Sequence, residues 1–160
     1  MLRRKGGKDM FSIKNIVTYG FLFILLAAFA SIIFAGDANT TWQIISHVDE
    51  VLEKNPLPAG KNSQLIKIAE DDTVSLFLVR MMPGAELGPH FHEKHDEIEY
   101  VIRGTAQLLV NNKWVDIKPG SIHFNPTQKV HAARNTGNEP LIVLIAFTPA
   151  MKVTDRHFLK

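Results

Sequence analysis

No cysteine occurs in the chain. Disulfides and thiolate metal sites are thereby excluded, and any metal has to be held by nitrogen and oxygen atoms. Also missing is a basic stripe interleaved with aromatic residues. Before residue 37, Arg3, Arg4, Lys5, Lys8 and Lys14 face only Asp9, a local balance of plus four. Because the whole chain carries a formal charge of +2, residues 37–160 carry minus two. The basic isoelectric point of about 8.9 therefore belongs to the first segment, and the rest of the chain argues against nucleic-acid binding.

Charge itself is missing from Ile16 to Gly36, where IVTYGFLFILLAAFASIIFAG runs for 21 positions. A run this long, apolar on every side, spans a bilayer as a helix, and its basic flank stays on the cytoplasmic side. The sequence predicts a membrane leader over residues 1–36 and export of everything from Asp37 onward, to a periplasmic or other extracytoplasmic location. Small residues at Ala28–Ala30 and Gly36–Ala38 offer cleavage sites. Two outcomes stay open: a cleaved signal peptide that releases a soluble product, and a signal anchor that tethers it through a transmembrane helix.

The remaining 124 residues suffice for one core and hardly for two. In TTWQIISHVDEVLEKNPLP a capping threonine, apolar residues at Ile44, Ile45, Val48, Val51 and Leu52, and a stop at Pro56 predict a short amphipathic helix. Residues 37–63 thus read as helix and linker, with Trp42 a packing anchor and His47 solvated. From Gln64 the texture changes to QLIKIA, VSLFLVRM, EYVIRG, TAQLLV, KWVDI, SIHFN, KVHAARN and PLIVLIAF, short apolar runs in an all-β rhythm. Pro83-Gly84, Asn111-Asn112, Pro119-Gly120 and NTGNEP supply turn chemistry between them. The expectation is a small barrel or jelly roll over residues 64–149, followed by a tail over 150–160. Leu141–Phe147, LIVLIAF, lacks alternation, so both of its faces should be covered; that predicts a homodimer.

The chemistry lies in GPHFHEKHDEIEYVIRG, Gly88 to Gly104. Counting from Gly84, five residues precede His90, one separates His90 from His92, four separate His92 from Glu97, and six lie between Glu97 and Gly104. Two histidines two apart on a strand share a face and can offer both imidazoles to one ion, while Glu97 can bring a carboxylate from the next strand. A second segment supplies another corner: Gly120, five residues, Pro126, four residues, His131, three residues, Asn135.

These two patterns, 15 residues apart, resemble the paired motifs of the cupin superfamily, in particular its small single-domain bacterial members. The resemblance implies a double-stranded β-helix barrel with a divalent transition metal inside. Carried over position by position, the metal ligands are His90, His92, Glu97 and His131. Where the family usually has a glycine two residues after the motif proline, this chain has Gln128, a departure that bears on the turn rather than on the ligand. Imidazoles and a carboxylate suit Fe, Mn, Ni, Co, Cu or Zn, and a six-coordinate ion would keep two open positions. A cation also offsets the desolvation of so many ionisable groups.

Neighbouring residues carry alternatives. Glu99 shares the parity of Glu97, which would make it an inward general base or hydrogen-bond partner, but an exposed strand glutamate has the same signature. His95 and His157 read as solvated, and the parity of His123 across its turn is open. Tyr100, Phe124 and Trp114 read as packing, Arg80 and Arg103 as outward salt bridges.

Two functions fit. One is a metalloenzyme of dioxygenase, isomerase or lyase type, acting on a small oxygen-rich substrate that binds the ion through two oxygens. The other is a non-catalytic module that holds a metal or small ligand at the membrane surface. No helix-turn-helix segment points to a regulator, and fold does not choose the reaction.

Overall fold

The computed structural model describes residues 44–159. The leader, its cleavage alternatives, Trp42 and the capping threonines lie outside the described residues. Among those residues, no helix is long and apolar enough to cross a membrane.

The first element is the helix α1 (Val48–Lys54). It begins later than Ile44 and Ile45 suggest, because His47 is extended (φ −100, ψ 133) and breaks the periodic run. Ile45 is left 90% exposed. Asp49 and Glu50 in the first turn and Lys54 in the last complement the helix dipole, and the Asn55 side chain donates to the Val51 carbonyl before Pro56.

Ten strands follow: β1 (Ser63–Glu70), β2 (Ser75–Met81), β3 (Glu86–His92), β4 (Asp96–Arg103), β5 (Ala106–Val110), β6 (Lys113–Ile117), β7 (Ile122–Asn125), β8 (His131–Arg134), β9 (Leu141–Thr148) and β10 (Arg156–Phe158). They form two antiparallel five-stranded sheets, ordered β1-β2-β9-β4-β7 and β10-β3-β8-β5-β6. The all-β jelly roll is therefore as expected, with two more strands than the apolar runs indicate. β3 is obscured by Gly88 and Pro89, where its register against β8 shifts between Leu87 and His90. β10 falls in the segment expected as a tail, and only its pairing with β3 defines it.

Between the sheets Phe77, Met81, Val101, Leu108, Val143 and Phe147 form the core, Phe77 and Phe147 meeting edge to face at 5.7 Å. On the other side of β9, Ile142 and Leu144 pack with Ile66 and Leu78 against Val48, Val51 and Leu52 of α1. The helix thus supplies, at these two positions, the second cover that the unalternating strand demands. Arg103 pairs outward with Asp49 of α1 at 2.8 Å, as expected. Arg80 differs from expectation: it donates to the Asn55 carbonyl and the Gln64 side chain instead of pairing with an acid.

Two turns settle details of the motifs. Asn111 and Asn112 hold φ of 50 and 61 in the β5–β6 hairpin, the left-handed pair its two-residue turn requires. Gln128 adopts φ 63, so the glycine conformation survives the substitution. That conformation costs a non-glycine residue about 1–2 kcal/mol, and the Gln128 N–H donates to the His92 carbonyl at 2.7 Å in return. At Gly104, φ is 84 and a Cβ would lie 2.8 Å from the Pro140 carbonyl oxygen, which explains the glycine there.

Candidate metal centre

His90 and His92 alternate with Phe91 on β3, so both imidazoles enter the barrel. His131 opens β8 directly opposite His90 in the ladder, and Glu97 projects inward from β4 of the facing sheet. All four are almost fully buried, none more than 4% exposed. One ring nitrogen from each histidine lies within 4.8 Å of the other two. The Glu97 Oε2 is 2.9 Å from His131 Nε2 and 3.6 Å from His92 Nε2. The structure therefore brings the three histidines to one point, with Glu97 against two of them, His92 and His131.

The rings are held from behind. Nδ1 of His90 donates to the Gly88 carbonyl at 2.9 Å, Nδ1 of His92 to the Asp155 carbonyl at 3.0 Å, and Nδ1 of His131 to the Lys129 carbonyl at 3.0 Å. A carbonyl only accepts, so Nδ1 of His90 and of His92 carries hydrogen and their Nε2 atoms are left to face the interior; His131 is also held by the buried Asn125 side-chain amide, 2.6 Å from its Nδ1 and 3.2 Å from its Nε2. The buried Nε2 of His92 has no hydrogen-bond partner. A bound cation would satisfy such an imidazole nitrogen beside a buried carboxylate.

The electrostatics agree. Burial, with the neighbouring His131 charge, lowers His90 to about 4, which keeps it neutral, the form an imidazole needs to ligate a metal. Burial disfavours the Glu97 carboxylate, but the hydrogen bond from His131 and the nearby His92 imidazole outweigh it and hold the group well below the usual range. For His131 burial is likewise outweighed by the Glu97 bond, and its pKa rises. Without metal, His131 thus donates a proton to Glu97 from the atom that would otherwise ligate.

Glu99 is inward, 8% exposed, and its Oε2 lies 3.1 Å from His123 Nδ1 on β7, its register partner. Burial and the adjacent Glu97 charge raise Glu99, against the hydrogen bond from His123. The alternatives for Glu99 and His123 resolve together: each faces the interior because the other does.

Other expectations fail. His95 is buried, not solvated, with Nδ1 2.6 Å from Asp155 Oδ2, because β10 brings Asp155 over the loop. Asp155 also accepts from the Lys94 N–H at 2.8 Å and the largely exposed His157 at 3.0 Å. Tyr100 and Phe124 are 45% and 57% exposed, since they alternate outward with Glu99 and Asn125. Trp114 packs as expected, beneath the Arg134 guanidinium at 4.2 Å.

A cavity of about 440 Å³ joins these groups to the core. Its lining includes His90, Glu97, Glu99, His131 and Arg156, with Lys61, Ser63 and Gln64 also polar; Val79, Met81, Leu108, Val143 and Ile145 give it an apolar wall. Sequence reasoning missed Asp155 and Arg156 because both lie beyond the two motifs.

A family model described as "Cupin domain" matches residues 77–147. The chain is 36% identical over 78 residues to an oxalate-binding protein of Thermotoga maritima, covering 48% of this chain and 64% of that protein. It is 38% identical over 65 residues to a glucose-6-phosphate isomerase of Thermococcus onnurineus, covering 36% of this chain and 34% of the isomerase. The chain thus spans less than two thirds of the length of either relative. A solved Klebsiella pneumoniae protein with a double-stranded β-helix domain superposes with a TM-score of 0.59 at 26% identity, over 67% of this chain and 90% of that one.

Proposed function

Because the chain belongs to the cupin superfamily, we propose that its barrel holds one divalent transition metal through Nε2 of His90, His92 and His131 and the Glu97 carboxylate, and acts as a metalloenzyme on a small oxygen-rich molecule. The observation that carries this reading is the convergence of three buried imidazoles, each with Nδ1 on a backbone carbonyl, with the Glu97 carboxylate against two of them, His92 and His131. A bound ion would supply Lewis acidity to substrate oxygens. The chain's own residues do the rest. The apolar wall excludes water, and Glu99, raised in pKa and bonded to His123, is placed to take a proton from substrate and return it. Such chemistry is of isomerase, lyase or dioxygenase type. The test is the visible spectrum of cobalt-loaded protein: an open, exchangeable position shifts its bands on addition of small diols and oxyacids, whereas a closed site does not respond.

A second reading, a non-catalytic binding module, draws on the oxalate-binding relative. Ligand binding without turnover across a panel of small oxyacids and diols would favour it.

The basic flank and charge-free run before Asp37 further support export and, if uncleaved, tethering. A reporter fused after Asp37 should be active only outside the cytoplasm. Ile98, Tyr100, Ile122 and Phe124 form an exposed apolar patch on paired strands β4 and β7, which supports a homodimer. Light scattering on protein lacking residues 1–36 should return twice the monomer mass.

A further inference from the structure

Arg156 opens β10, beyond the region that the family model matches. Its partner in the antiparallel ladder is His92. Directly opposed residues in such a ladder send their side chains to one face, so Arg156 follows His92 into the barrel and lines the cavity beside His90, Glu97, Glu99 and His131. The next residue, His157, lies on the opposite face, stacked on Phe91 at 5.1 Å, and Phe158 returns inward to within 5.5 Å of the His90 ring.

The other arginines near the barrel have partners. Arg80 has a buried Nε without one, but its Nη2 donates to the Asn55 carbonyl and the Gln64 side chain. Arg103 has Asp49, and Arg134 has Gln107 and the Trp114 face. Arg156 enters none of the ion pairs among the described residues, and its Nε is buried with no hydrogen-bond partner. A guanidinium cannot shed its proton to escape this, so the charge persists. The carboxylate whose field reaches it is Glu97. Once Glu97 serves as a metal ligand, its single negative charge is more than cancelled by a divalent ion. The second acid in the cavity, Glu99, is bonded to His123. With a divalent ion bound, the cavity would carry excess positive charge, and Arg156, which lines it, has no protein acceptor for its buried Nε.

We propose that Arg156 anchors an anionic oxygen group, carboxylate or phosphate, on a substrate whose other oxygens face the metal position. This deepens the metalloenzyme reading and rests on it: the substrate class is a small organic anion, set by a residue of β10 and not by either motif. Such a guanidinium donates in parallel to two oxygens of one group, which also fixes the orientation of the rest of the molecule.

The test compares cobalt-loaded parent, Arg156→Gln and Arg156→Lys by calorimetry, with oxalate, inorganic phosphate and the neutral oxalate analogue oxamide as probes. Cobalt content and far-ultraviolet circular dichroism are measured on the same samples. The parent should bind an anion more tightly than oxamide. Arg156→Gln should weaken that anion roughly 10- to 100-fold, as expected for loss of a charge-assisted contact, with oxamide affinity and cobalt content unchanged, and Arg156→Lys should recover part of the loss. Preference for oxalate assigns a carboxylate, preference for phosphate a phosphate. Equal anion affinity in parent and Arg156→Gln, or a parent that binds neither anion, overturns the inference. If cobalt is not retained but anion binding still depends on Arg156, the metal reading fails and the anchor stands. If cobalt is retained and Arg156→Gln changes nothing, the anchor alone falls.

Discussion

The ring Nδ1–H of His92 donates to the backbone carbonyl of Asp155 over 3.0 Å, joining positions 63 residues apart in the chain. The candidate metal centre is thus braced by a residue outside both motifs, directly before β10. Asp155 tightens the same link by accepting from Lys94 and His95 on the loop after β3.

Removal of residues 155–160 should therefore weaken metal binding roughly 10- to 100-fold, the usual effect of losing a partner that orients a ligand. The core around Phe77, Phe147 and Met151 remains, so the barrel should still fold. Chelator competition and circular dichroism read the two quantities. Unchanged affinity in a folded truncation would contradict the link.

Spacing alone puts His90 and His92 on one face of a strand; the full candidate set with Glu97 and His131 comes from the resemblance to the two cupin motifs. Glu99 and His123 could not be placed singly: parity along one strand does not say where a turn resets it. Their agreement appears only in the β4–β7 register, where each opposes the other. Asp155 and Arg156 were invisible for a different reason. A three-residue strand has no periodicity, and its place beside β3 is a tertiary fact. The outward exposure of Tyr100 and Phe124 shows the converse error, aromatic character taken for burial.

Glu99→Gln should lower turnover by about 100- to 10,000-fold, the range for a positioned acid or base, and leave metal content at the parent level. His123→Ala should shift the pH dependence of turnover, since the hydrogen bond it removes opposes the upward shift of Glu99. Equal turnover in parent and Glu99→Gln would remove Glu99 from the chemistry.

Acid should act through Asp155. Burial disfavours its charge, yet hydrogen bonds from Lys94, His95 and His157 hold its pKa below the ordinary value. The native state then binds fewer protons than the unfolded state. Its stabilising contribution is complete above the unfolded pKa of about 3.9 and is lost as pH falls through the lower native value. Glu97 acts in the same direction. Melting temperature followed between about pH 2 and 6 should fall more steeply in the parent than in Asp155→Asn. Parallel slopes would refute this assignment.

Elemental analysis of purified protein tests the central claim most directly. The account predicts one divalent transition ion per chain in the parent. In His131→Ala and Glu97→Ala, each folded by circular dichroism, it predicts loss of affinity beyond the roughly 100-fold that orienting partners give. A parent without metal after reconstitution, or variants that keep it as the parent does, would contradict the account.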